Sequence, residues 1–239
     1  MPNSKRRKSA AKKYFPKEPA APVKKTDWLV KLHSSHLMEL RKDPHFRTMV
    51  KMGRAMNAIA YPLAGVVAYK AQKTYDEKRF FLRAGYALGG YLHEAINVVD
   101  RLKGPYLGQP AFEPLRVLVV EAEYRKFRQH ARKVRNDIAF HLDDLDEFTS
   151  AMLERLKASN FDVMCGDGPG AAAFYFVFSD YIDLQYLTEK LFQGNRLHET
   201  ADEVIAGLMS YGVDFMNAAY DFQLDLIKKA LKGHVYLKG

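Results

Sequence analysis

Residues 43–60, DPHFRTMVKMGRAMNAIA, decide the fold class. The short carboxylate of Asp43 can accept from the free N–H groups that open a helix, and Pro44 carries the φ of a first helical turn. Behind them Phe46, Met49, Val50, Met52, Gly53, Met56, Ile59 and Ala60 recur at steps of three and four. That is the spacing of one face of an α-helix. Pro62 should kink or break this helix, although apolar helical composition resumes to about Tyr75.

The same steps continue through most of the chain. They predict a second helix over 77–102, with Phe81, Ala84, Leu88, Leu92, Ala95, Ile96 and Val99 on one side. Gly85, Gly89 and Gly90 thin that helix and imply that a neighbour approaches closely. A turn is expected over 103–110, where Gly-Pro and Gly-Gln-Pro fall together. A third helix should run over 112–142, with Leu115, Leu118, Val119, Ala122, Phe127, Ala131, Val134 and Ile138 inward. At about 1.5 Å per residue it would be unusually long unless it kinks. A short helix over 145–158, a Gly-rich loop over 159–170 and two helices over 171–192 and 198–231 complete the expectation. The run AAAFYFVF within 171–192 has strand propensity as well. The result is an all-α chain: an elongated helical bundle of about five to seven helices.

Working back towards the start, residues 1–25 have no hydrophobic period and hold nine Lys/Arg against one Glu. The net charge of +9 is therefore almost all in this arm, and residues 26–239 carry about +1. We expect a disordered basic arm followed by one helical domain over 26–239. Within it lie a core of about 43–158 and a C-terminal helical extension of about 171–231. The arm reads equally as a phosphate-binding or nuclear-import segment and as a solvated tail. One cysteine, Cys165, excludes an intrachain disulfide. No secretory leader and no apolar run of about eighteen residues is seen, so a cytoplasmic protein without a membrane span is expected, or a nuclear one if eukaryotic.

Chemistry concentrates in residues 125–147, RKFRQHARKVRNDIAFHLDDLDE. Arg125, Lys126, Arg128, Arg132, Lys133 and Arg135 fall within eleven residues, followed by Asp143, Asp144, Asp146 and Glu147. At the crossover stand Arg135, Asn136 and His141. A guanidinium can grip a phosphate and an imidazole can move a proton near neutral pH. The spacing Arg, four to six residues, His occurs twice, at Arg125–His130 and at Arg135–His141, about as often as chance gives. What distinguishes the second is its content: Asn after Arg, Phe before His, and acidic residues soon after.

That content resembles the HEPN superfamily of all-helical ribonucleases and RNA-binding domains, in its abortive-infection and toxin-like branch. The family's hallmark is Arg, usually then Asn, Asp or His, three to five further residues, and His. Arg135, Asn136 and His141 match it over about residues 134–144. The resemblance implies an HEPN-like core and a metal-independent endoribonuclease without a cofactor. It also implies a homodimer whose two motifs line one cleft. His141 would act as base or acid at the ribose 2′-hydroxyl, Arg135 would hold the scissile phosphate, and Asn136 would orient either. RNA would be the substrate, and a toxin or antiphage-defence role would add an antitoxin or regulatory partner. Arg125, Arg128, Arg132 and Lys133 are the candidate RNA-binding residues. The alternative is a non-catalytic RNA-binding or protein-interaction module on the same fold.

On a straight helix Arg135 and His141 lie about 120° apart, so a bend or a second chain must bring them together. The run Asp143-Asp144-Leu145-Asp146-Glu147 resembles half of the magnesium site of helical prenyl-transfer enzymes, but no second motif accompanies it. His93-Glu94 lacks the partners of a di-iron bundle, and His93 reads as packing or surface.

Overall fold

The computed structural model describes residues 39–71, 74–139, 182–192 and 197–230, with single positions at 150 and 154. All regular structure among the described residues is helical. The elements are α1 (Pro44–Ala68), α2 (Tyr75–Tyr106), α3 (Glu113–Val120), a 3₁₀ turn (Ala122–Tyr124), α4 (Arg125–Val134) and a π-helical turn (Arg135–Ala139). A short helical run at 182–186 then enters a second π turn (Leu187–Leu191), and α5 (Leu197–Ala230) follows. The basic arm, the expected helix over 145–158 beyond two helical positions, and the Gly-rich loop lie outside the described residues.

α1 starts where its sequence says. The Asp43 carboxylate accepts from the Phe46 N–H at 2.7 Å, and Pro44 occupies the first turn. Pro62 does not break it. Proline deletes one hydrogen bond and crowds the preceding turn, yet Ile59, Pro62, Leu63 and Val66 are all buried, and their packing carries the helix on to Ala68. α2 begins earlier than expected because Thr74 and Glu77 cap each other: the Thr74 hydroxyl accepts from the Glu77 N–H at 3.2 Å, and the Glu77 carboxylate accepts from the Thr74 N–H at 3.1 Å. At its other end the expected turn over 103–110 is shorter. The helix runs through Pro105 to Tyr106, and the reversal falls at Gly108, whose φ of 80° suits only glycine comfortably.

The expected single helix over 112–142 is two helices. Glu121 is extended (φ −64°, ψ 146°), which ends α3, and a 3₁₀ turn leads into α4. The break is stabilised from both sides. Arg128 donates to the carbonyls of Leu118 (3.0 Å), Glu121 (2.8 Å) and Val120 (3.3 Å), and the buried Tyr211 hydroxyl donates to Leu118 at 3.0 Å. These are the carbonyls that a helix C-terminus leaves without partners. Ala122, expected inward, is exposed as a result.

Three long helices make the core. α1 and α2 form an antiparallel hairpin, with Gly65 against Ala84 and Tyr69 stacked on Phe80 near the turn, and His45 against Tyr106 at the far end. α5 packs on both. It runs parallel to α2, since Ile205 meets Gly85 and Leu208 meets Gly89. A side chain at either glycine would collide: a Cβ at Gly85 would lie 2.6 Å from Ile205, and one at Gly89 2.8 Å from Val134 of α4. The close approach expected of these glycines is therefore present at both positions. The C-terminal helix is no appendage, because Leu208, Tyr211, Phe215 and Phe222 belong to the same buried cluster as Ile59, Leu88 and Leu115. Tyr106, Phe112 and Phe222 close that cluster with ring centroids 5.1 to 6.1 Å apart.

Candidate nucleic-acid interface

Among the described residues α4 carries the densest cluster of positive charge, and helix geometry sorts it, with Arg135, into three stripes. Seven residues turn an α-helix through nearly two full turns. Arg125 therefore shares a face with Arg132, Lys126 with Lys133, and Arg128 with Arg135. Each pair meets a different environment. Arg125 and Arg132 are exposed and make no hydrogen bond or ion pair among the described residues. Lys133 lies over the ring of Phe192, 5.4 Å from its centroid, on the side where α4 meets the segment 182–192. Arg128 and Arg135 face the body of the protein. The Arg128 guanidinium holds the α3 C-terminus by the three bonds above, so much of its donor capacity already serves the fold.

Arg135 is the first residue of the π turn that follows α4. Its Nε donates to the Glu94 carboxylate of α2 at 3.0 Å, and its Nη1 donates to the Asn136 side-chain oxygen at 3.3 Å. The Arg135 and Glu94 side chains are 34% and 49% exposed. An ion pair so accessible contributes at most about 1 kcal/mol. It orients the guanidinium far more than it stabilises the fold, and an incoming phosphate can compete for it. π turns disrupt the regular ladder and are frequent at functional sites.

His93 precedes Glu94 and is half-buried. Burial lowers its pKa from the usual value; Glu94 acts in the opposite direction, and the nearby cations Arg135 and Arg132 lower it further. Arg135 thus joins the Glu94 carboxylate and the Asn136 amide where α2 touches the end of α4, with the His93 imidazole within electrostatic range of Glu94, Arg135 and Arg132. In the sequence, His93-Glu94 stands out only as a di-iron pattern without its partners, so His93 reads there as packing or surface. A signal was present: Gly89 lies one helical turn before His93, and the close approach it permits is to Val134, the neighbour of Arg135.

His130, the histidine of the competing Arg125 match, is in a different setting. Its ring meets Phe192 edge-on with centroids 4.6 Å apart, and its Nδ1 is buried without a hydrogen-bond partner among the described residues. Burial, assisted by Lys126 and Lys133, pushes its pKa down to about 4. It is a packed neutral histidine.

His141 and the acidic residues Asp143, Asp144, Asp146 and Glu147 lie outside the described residues, so the geometry of the Arg135–His141 pair is not part of this site. Among the described residues no group of three or more His, Cys, Asp or Glu side chains converges as a metal site. Nor is any described helix long and apolar enough to cross a membrane. The chain matches no family model, no curated protein and no solved structure.

Proposed function

We propose that this chain is a metal-independent endoribonuclease of the HEPN type, cutting RNA with Arg135, Asn136 and His141 at a cleft formed by two copies. The observation that carries the reading is the setting of Arg135. It is half-exposed at the end of a basic helix, held side-on by Glu94, and placed on a π turn with Asn136 beside it. A guanidinium so held is pre-organised for a phosphodiester and for the charge that grows on it in the transition state. His141 moves a proton, as acid or base, while the ribose 2′-hydroxyl attacks; that nucleophile restricts the reaction to RNA and gives a 2′,3′-cyclic phosphate. Arg125, Arg132 and Lys133 draw the strand in, while Arg128 acts mainly through the shape of the α3–α4 junction. The setting in life would be a cytoplasmic toxin or antiphage-defence ribonuclease restrained by an antitoxin or regulatory protein.

The test is labelled single-stranded RNA incubated with the purified full chain in EDTA. Wild type should cleave, and Arg135→Ala and His141→Ala should each lose about a hundredfold or more in rate. His130→Ala should remain near wild type. Cleavage that EDTA abolishes, or that His141→Ala leaves intact, overturns the reading. One observation favours a second reading, a non-catalytic RNA-binding module: the Arg125–Arg132 stripe faces solvent and can follow a phosphate backbone without any chemistry. RNA bound but never cut by wild type would select it.

A further inference from the structure

The contact of α2 with α4 brings the His93 imidazole towards the Arg135 site. Gly89 lets Val134 approach within what would be 2.8 Å of a Cβ, so the backbones of α2 and α4 run close there. One turn further along α2, Glu94 holds Arg135 by a 3.0 Å bond. His93 is the residue beside Glu94, and it is half-buried, so its ring is both sheltered and reachable. It makes no hydrogen bond or ion pair among the described residues, and no packed ring contact employs it. The charged groups that face it are Glu94 on its own helix, Arg132 on α4 and Arg135 on the π turn.

We propose that His93 is a proton-transfer residue of the Arg135 site, and that Glu94 is the positioning residue which holds the phosphate-binding guanidinium beside it. The proposal rests on the ribonuclease reading above and adds the base. Neutral His93 removes the proton from the ribose 2′-hydroxyl. The 2′-oxygen attacks phosphorus, and the bond from phosphorus to the 5′-oxygen breaks. The leaving oxygen takes a proton from water, and the hydroxide so formed takes the proton back from the imidazolium. A cyclic phosphate and a 5′-hydroxyl result, with the enzyme unchanged. A base must be neutral to act, and the direction in which burial and the two arginines move His93 keeps it so at neutral pH.

The experiment is a pH–rate profile on labelled single-stranded RNA for full-length wild type, His93→Gln, His93→Ala, Glu94→Gln and Arg135→Ala, with RNA affinity measured alongside. Wild type should lose rate as pH falls, with an inflection below 6.5 set by the base (the reference value for histidine). His93→Gln should lose about a hundredfold in rate at neutral pH together with that inflection, while its RNA affinity stays within about twofold. Added imidazole should restore part of the rate of His93→Ala. Glu94→Gln should lose rate but keep the inflection, because it leaves the base in place and loosens the guanidinium. Wild-type rate and profile in His93→Gln, with Arg135→Ala inactive, overturn the proposal and leave the ribonuclease reading standing. A wild type that cuts no RNA overturns both. A His93→Ala variant that imidazole does not restore, although folded by circular dichroism, counts against proton transfer and for a structural role.

Discussion

Acid should unfold this protein partly through one side chain, His130. Its ring is packed on Phe192 and its Nδ1 is buried without a partner among the described residues, with Lys126 and Lys133 nearby. Adding a proton there would place a charge where no acceptor receives it and two like charges repel it. Its pKa is accordingly about 4, against the usual 6.5. Because the native value is lowered, the unfolded chain takes up the proton first as pH falls. The stability that neutral His130 preserves is complete above pH 6.5 and is lost progressively down to about pH 4. At about 1.4 kcal/mol per unit, the loss across that window is about 3 kcal/mol. Carboxylates titrate in the same range, so the informative quantity is a difference. Urea unfolding of wild type and His130→Gln, measured at steps between pH 7 and pH 4, isolates it. The advantage of wild type over the variant should shrink by about 2 to 3 kcal/mol on going to pH 4. Two stability curves that stay parallel would refute the argument, as would an NMR titration placing His130 near 6.5.

Three further outcomes are expected. Gly85→Ala should destabilise by about 1 to 3 kcal/mol through its collision with Ile205, whereas Gly104→Ala, with open space at the same helix's end, should be neutral or stabilise by up to about 1 kcal/mol; thermal melts of the pair decide it. Arg128→Ala should cost about 1 to 3 kcal/mol by leaving the α3 carbonyls uncapped, while Arg125→Ala should leave the melting temperature nearly unchanged and flatten the salt dependence of RNA binding. Removing residues 1–25, which hold +8 of the +9, should weaken RNA binding and reduce its salt slope without changing helicity; equal slopes would make the arm a bystander.

Much of the helical fold was legible because it rests on local signals. Asp43-Pro44 announced the start of α1, and the three- and four-residue steps located the buried faces of α1 and α2. What local signals could not supply is where tertiary contacts override them. Pro62 is a breaker by its chemistry, but it lies in a buried stretch whose neighbours hold the helix together. The division at Glu121 ran the other way: nothing between Val120 and Arg125 is a strong breaker. The junction exists because Arg128, ten residues after Leu118, and Tyr211, ninety-three residues after it, both donate to that carbonyl. A contact across that separation has no signature in a periodicity. The same holds for α5, which looked like an extension because only its packing against α1 and α2 makes it core.

The site was legible to a lesser degree, and the reason lies in how a basic helix distributes its charges. Six cations in eleven residues look alike in a sequence, and their density suggested one phosphate-tracking surface. In three dimensions the seven-residue pairs part company: one faces solvent, one lies by Phe192, and one is drawn into the body. Even the third pair divides, since Arg128 finds backbone carbonyls with nothing to titrate or displace, while Arg135 finds a half-exposed carboxylate with an imidazole beside it. Only the second arrangement can exchange its partner for a phosphate and move a proton in the same place. The residues that make the difference, His93 and Glu94, lie forty-one and more positions away on α2. Glu94 reaches Arg135, and His93 comes within electrostatic range of it, because Gly89 has no side chain to keep α4 at a distance. Whatever this site does therefore depends on a glycine that touches neither charge. Gly89→Ala should disturb the Arg135–Glu94 pair, and any activity that rests on it, before it unfolds the bundle.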